Sequence, residues 1–288
     1  MSDGPAPAFA ETPSARRIRF VESLPYGAAA LGAFHDPYAR WAIGEPRELD
    51  VALASSRPST PPCDEFAFIF LPSGSTTPIE LQRRAEAWMG DSRVGGEPPL
   101  IDLVVQSDRI LWRPGGAVAI GSPRRADEVL AGLVEFSYYE AELRRLEREV
   151  EVDWPAAEAD VSLTHGVDRR SLARRKHVDE MTRRAALRRI RFARLAPRLE
   201  KAPLALSGPM RRLFSELAQQ AEVVDRLRSL DDRLEVFEDL YELANDRLGE
   251  LAYFQKEYRL EAWILAMLLV EVLLMVFEIW WSWQLDGP

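Results

Sequence analysis

Cysteine and histidine are scarce in this chain, and the scarcity excludes a good deal. Cys63 is the single cysteine among 288 residues, so no internal disulfide can form, and the usage suits a reducing compartment. His35, His165 and His177 stand far apart, with no cysteine or histidine at metal-ligand spacing. That argues against a zinc site. Phosphate-binding signatures are missing too: there is no Walker A loop and no G-x-G-x-x-G run. PSGST (72–76) follows a strand-like stretch, but it lacks the lysine and flanking glycines of a phosphate cradle and reads as a loop. His35-Asp36 and Cys63-Asp64 have no partner recognisable from spacing. No catalytic, cofactor-binding or metal-binding residue is therefore assigned, and no cofactor is expected. A net charge of −9 excludes nucleic-acid binding by bulk electrostatics. Residues 1–16 are polar, rich in Pro and Ala, and acidic at the start. They are expected to be disordered, and neither a cleaved secretory signal nor a mitochondrial transit peptide is expected.

What is present is a long helical pattern from Leu230 to Trp283. Leu230, Leu234, Phe237, Tyr241, Ala244, Leu248, Leu251, Gln255 and Tyr258 follow a 4-3 spacing, and only Gln255 breaks the apolar seam. Such a seam packs against another helix. From Ala262 the pattern becomes apolar all round. About 22 positions, to Trp283, would span about 33 Å, enough for a bilayer's hydrocarbon core. Tyr258 and Trp263 at one end, with Trp280, Trp281 and Trp283 at the other, resemble interfacial aromatic belts. Arg247, Lys256 and Arg259 precede the stretch and nothing basic follows it. The positive-inside rule then predicts a tail anchor in the cytoplasmic (inner) membrane, with the N-terminal part cytoplasmic and only Gln284 to Pro288 across. Arg259, Glu261, Trp263, Trp280 and Trp281 would mark its boundaries. The competing reading is an unusually apolar core helix, because Glu271 and Glu278 interrupt the run. Seven residues apart, these glutamates share a face, and as a neutral pair they would hydrogen-bond a partner helix in an oligomer. A proton or ion path is the functional alternative.

Upstream, residues 17–168 read as one α+β domain. Ile18, Phe20 and Glu22 alternate with their neighbours; LDVAL (49–53), FAFIFLP (66–72) and AVAIG (117–121) are further strand candidates. SRPSTPP (56–62) and PSGSTTP (72–78) read as turns. A short helix is expected from Pro78 to Trp88, and LIDLVV (100–105) with RILWR (109–113) as a hairpin. After Ser122-Pro123 a helix of roughly 25 residues carries Val129, Leu133, Phe136, Leu143, Leu146 and Val150 on its apolar face. DVSLTH (160–165) reads as a closing strand, and helices are expected on one face of a small mixed sheet.

The section 169–201 holds 13 Arg or Lys against three acids. Met181, Leu187, Ile190, Leu195 and Leu199 make it an amphipathic helix ending near Pro197. Its candidate basic surface is Arg174, Arg175, Arg188, Arg189, Arg191 and Arg194. Three partners compete: anionic lipid, RNA or ribosomal phosphate, and the acidic coil 229–261, with ten Asp or Glu against four Arg or Lys. Another helix is expected from Pro209 to Arg228 on Leu213, Leu217, Val224 and Leu227. Leu227 to Leu230 is one residue short of the repeat, which marks a stammer or a fresh start at Ser229.

The C-terminal pattern also has a family resemblance. Asn245, Arg247 and Leu248, then Leu260-Glu261, the run Ile264 to Val270 and Glu271 resemble the C-terminus of the required-for-meiotic-nuclear-division family (domain of unknown function 155). Trp263 stands one place later than the family's Trp. LVVQSDRILW (103–112) is similar to the family's hairpin, with Asp108 where Gly is usual, and 135–154 looks like the helix after it. The family's polar, serine-rich helix has no counterpart here. The resemblance implies a membrane-tethered, self-associating protein without known catalytic residues; mitochondrial members support translation.

The sequence therefore predicts an α+β class: a small mixed-sheet head (17–168), basic and amphipathic helices (169–228), a coiled-coil helix (229–261), a transmembrane helix (262–283) and a short tail (284–288). The expected function is a tail-anchored, oligomeric, non-catalytic scaffold. A ribosome or RNA tether using the six arginines is the first alternative, and an enzyme acting in the head on an unknown small molecule the second.

Overall fold

A computed structural model describes residues 12–54, 63–73, 79–90, 100–167 and 170–285, with side chains described as far as Val276. The loops expected at 56–62 and at most of 72–78, and residues 1–11 of the disorder expected over 1–16, lie outside these residues; the rest of that expectation is corrected, since Ser14, Ala15 and Arg16 belong to a strand, with Ala15 buried. The chain divides into two compact units, Met1–Val152 with Leu187–Leu234, and Asp153–Ala186 with Glu235–Pro288.

The first unit is built on a seven-stranded mixed sheet in the order β2-β3-β1-β4-β7-β6-β5. Its strands are β1 (Ser14–Val21), β2 (Ala30–Phe34), β3 (Arg40–Arg47), β4 (Glu65–Pro72), β5 (Ile101–Val105), β6 (Asp108–Arg113) and β7 (Gly116–Gly121). β4 and β7 pair parallel and the other neighbours antiparallel. Period-2 alternation sends consecutive side chains to opposite faces, and here both faces are covered. Ala15, Ile69, Leu71, Leu111 and Val118 face a cluster with Ala52 of α1 (Leu49–Ala54) and with Ala85 and Met89 of α2 (Ile79–Met89). The opposite face packs on α3 (Ala126–Asp160). Phe20 and Phe34 meet Tyr138 at 5.2 and 4.0 Å between ring centroids, and Trp112 meets Phe136 at 5.0 Å. The expectation of helices on one face is thus corrected.

LDVAL is also corrected, from strand to helix α1. Leu49, Ala52 and Leu53 pack inward at i, i+3, i+4, while Val51 points out at 53% exposure. DVSLTH is the end of α3 and a 3₁₀ turn, Val161–Thr164, because its buried residues are Asp160, Leu163 and Thr164, again at helical spacing. In the β5–β6 hairpin, Gln106 and Ser107 both take positive φ, the primed turn that matches strand twist. Asp108, where the resemblance led one to expect Gly, is buried. It accepts hydrogen bonds from the Ser122 N–H (3.0 Å) and Arg125 Nη2 (2.9 Å). A methyl at Gly121 would collide with that carboxylate, so the pair Asp108–Gly121 is the local solution.

Helix α4 (Arg175–Glu200) continues through Pro197, since Leu195 and Leu199 are both buried and hold its last turn. Helix α5 (Gly208–Gln220) ends where Ala221 and Glu222 break the chain, Glu222 at φ +53°. Helix α6 then runs unbroken as Val223–Leu285. No break occurs at Ser229. The apparent stammer came from counting Val224, which is 54% exposed; the buried residue is Val223. Val223, Leu227, Leu230 and Leu234 restore an even 4-3-4 spacing.

The transmembrane helix expected over 262–283 is overturned: among the described residues no helix is long and apolar enough to cross a membrane. Glu271 lies inside the described apolar run, where an ionised side chain near a bilayer centre costs about 2.5–3.5 kcal/mol. The tail-anchored class, and the boundary roles of Arg259, Glu261 and Trp263, fall with it. So does intramembrane pairing through Glu271. Glu278, Trp280 and Trp281 lie on the helical backbone beyond the described side chains.

Candidate functional site

In the second unit, α6 changes character along its length. Phe237, Tyr241, Ala244 and Leu248 are buried, as Leu230 and Leu234 are in the first unit; Leu251 is only partly covered. The seam therefore already has partners inside its own chain. Trp154 of α3 meets Phe237 at 5.5 Å between ring centroids. At the centre is Asp160, fully buried, which accepts from the Tyr241 hydroxyl (3.1 Å) and Arg174 and contacts His177 Nε2 (2.8 Å). Burial, together with the adjacent Asp160 charge, pushes the Tyr241 phenol well above its ordinary pKa, so it stays a donor.

Beyond Leu251 the cover stops. From Trp263 to Val276 twelve large apolar side chains are each more than half exposed, Trp263 at 73% and Met267 at 71%. Glu271 is the one charged residue among them. Monomeric proteins ordinarily expose contiguous apolar patches of roughly 300–600 Å² at most, and larger ones mark interaction sites. This stretch is the candidate site. Its chemistry is apolar contact on every side of a helix.

The six candidate arginines are dispersed rather than assembled into one surface. In the first unit Arg188 is buried with Nε 3.6 Å from Glu149, and Arg191 Nη1 donates to both Glu149 oxygens at 2.9 and 2.7 Å. Arg189 pairs with Asp231. In the second unit Arg174 is held by Asp160. Arg175 and Arg194 are exposed. Intrachain carboxylates thus occupy four of the six, and most of those carboxylates come from α3 rather than from 229–261.

Sequence reasoning passed over the acids of α3. Glu140, Arg144 and Glu147 lie at i, i+4 and i+7, one face of the helix. Arg144 Nε donates to Glu140 Oε2 (2.8 Å). Arg226 of α6 donates to Glu147 through Nε (2.9 Å) and Nη2 (2.7 Å), and to Glu140 Oε1 through Nη1 (3.1 Å). Burial alone would lower the Arg226 pKa, but these two carboxylates reverse the direction and hold the guanidinium charged. Spacing on α3 signals the first pair; nothing local signals Arg226. Cys63 is buried and accepts from Arg148, while Asp64 receives Arg40 and Arg145. Asp36 receives Arg198 (2.7 Å). Among the described residues no group of three or more His, Cys, Asp or Glu is placed to hold a metal.

No protein-family model matches the chain. No curated protein matches it either.

A pH prediction arises from Glu142, which is 1% exposed, forms an ion pair with Arg145 (Nη1–Oε1 3.1 Å) and leaves Oε2 without a hydrogen-bond partner among the described residues. Burial raises its pKa, and Arg145, Arg40 and Arg191 offset this only in part, with Asp64 adding to the rise. A carboxyl whose folded pKa exceeds its unfolded one favours folding most below the unfolded value, and that contribution is lost as pH rises through the folded value. The stability of the native chain relative to Glu142→Gln is therefore expected to fall as pH rises above the ordinary glutamate range. Urea midpoints of both proteins at acidic and neutral pH test this; a difference that does not change with pH rejects it.

Proposed function

We propose that the chain is a non-catalytic, homo-oligomeric scaffold, in which copies associate through the Ala262–Val276 stretch of α6 and each presents its α+β unit. The observation that carries the reading is the run of twelve exposed apolar side chains beyond a seam whose own partners are intramolecular. Burying one such Leu or Val contributes about 1.5–3 kcal/mol. Several per copy offset an association cost of about 4–15 kcal/mol. A second copy supplies a surface of the same length and apolar character. The motif resemblance to the required-for-meiotic-nuclear-division family supports self-association.

Sedimentation velocity of the full-length chain in detergent-free buffer tests it, beside a variant carrying Leu265→Glu, Leu269→Glu and Val272→Glu on one helical stripe. The native chain is expected at a multiple of 32.7 kDa and the variant at one chain's mass. A single-chain mass for the native protein overturns the proposal, and so does a monomer that phospholipid vesicles carry down.

A further inference from the structure

The first unit contains a cleft of about 350 Å³ beside the Glu140–Arg144–Glu147–Arg226 group. Its floor is apolar: Ile101 of β5, Trp112 of β6 and Pro114 of the following turn. Trp112 is fixed there by a hydrogen bond from its Nε1 to Ser137 Oγ (2.9 Å). The far wall is the α5–α6 break, Gln220, Ala221 and Glu222. Glu222 adopts a left-handed conformation that non-glycine residues rarely take, and such outliers concentrate at ligand sites.

The hydrogen-bonding ledger of this cleft leaves one donor edge open. Both oxygens of Glu140 are engaged, one by Arg144 and one by Arg226, and both oxygens of Glu147 are held by Arg226. Within this hydrogen-bonded group two carboxylates balance two guanidinium groups, and Glu222 adds a third carboxylate to the lining. Arg144 uses only Nε in this arrangement; its Nη1 and Nη2 make no hydrogen bond among the described residues, although its side chain is only 16% exposed. A guanidinium edge with parallel N–H groups matches a carboxylate in bidentate geometry. Helix α6 begins at Val223, directly after the far wall, and a helix N-terminus favours negative charge nearby. Glu222 also lines the cleft and is exposed.

We propose that this cleft binds a small monocarboxylate with an aryl-sized apolar body, its carboxylate on the Arg144 Nη edge and its body against Ile101, Trp112 and Pro114. The volume lies at the lower end of ordinary ligand sites, roughly 300–1,000 Å³, which fits one ring with a short chain. The site is independent of the self-association proposed above.

Isothermal titration of the full-length chain with 3-phenylpropionate tests it, with 3-phenylpropionamide and 3-phenylpropan-1-amine as matched probes lacking the carboxylate. The acid is expected to bind at least tenfold tighter than either. Arg144→Gln is expected to weaken it at least tenfold, and Ala221→Trp, which fills the cleft and leaves every charge in place, to abolish it. Thermal melting of each variant establishes that it is folded; the probe series on the native chain does not depend on them. No binding of the acid overturns the proposal. Equal or tighter binding of the amide or amine, or unchanged binding in both folded variants, overturns it as well.

Discussion

Arg226→Ala is expected to destabilise the first unit by about 3–5 kcal/mol, the range for removing one partner of a buried ion pair. Arg226 is the cation shared by two carboxylates. Without it Glu147 loses both of its hydrogen bonds, and Glu140, 1% exposed, keeps only Arg144. Arg144 makes no hydrogen bond to Glu147 in the native arrangement; its Nε is held by Glu140 Oε2. The cost is desolvated negative charge left behind, rather than the value of the bridge itself. A second substitution separates these. Glu140→Gln in the Arg226→Ala background is expected to recover part of the loss, since a neutral amide costs less to bury than a carboxylate. Urea unfolding followed by circular dichroism measures all three proteins. A loss below about 1 kcal/mol for Arg226→Ala would show that Glu140 finds water or another cation, as exposed pairs do.

Removing both basic side chains from Asp160 is the second large effect. Arg174→Ala with His177→Ala leaves a fully buried carboxylate whose remaining partner is the Tyr241 hydroxyl. A loss of about 3–5 kcal/mol is expected, by the same uncompensated-charge argument. Tyr241→Phe is the milder comparison, because it deletes one hydrogen bond and leaves Arg174 and His177 in place; about 1–3 kcal/mol is expected. The order of the two variants is the informative outcome. If Tyr241→Phe were the more damaging, packing of the Tyr241 ring against Phe237 would outweigh charge at this node. Thermal unfolding monitored by tryptophan fluorescence reports on it, since Trp154 stacks on Phe237 within the same unit.

These two nodes show where sequence reading reached its limit. Glu140, Arg144 and Glu147 could be put on one helical face from spacing alone. Their shared cation, Arg226, is 79 residues beyond Glu147, and Tyr241 is 81 residues beyond Asp160. Separation on that scale leaves no local pattern. The basic run 169–201 shows the same limit from the other side: composition announced a cationic surface, yet which arginines stay exposed depends on the acids that α3 brings to them.

By itself the sequence determined what period and punctuation can determine. FAFIFLP is strand β4, the polar Gln106-Ser107 turn joins β5 to β6, the long apolar stripe after Pro123 is α3, and the 4-3 seam of α6 is buried as far as Leu248. All of these are set by residues within a few positions of one another. Tertiary structure decided the rest. LDVAL and DVSLTH were short enough to satisfy either period, and the surfaces that bury Ala52, Leu163 and Thr164 and partly cover Leu53 chose the helical one. Val223 rather than Val224 faces inward, because the turn at Glu222 sets the phase in which α6 starts. The apolar run after Ala262 was plain in the sequence, but its reading as a membrane span was not sustained: among the described residues no helix is long and apolar enough to cross a membrane. Local chemistry fixes how a segment is coiled; what covers it is set by residues distant in the chain, because burial is a property of the assembled surface and not of the segment.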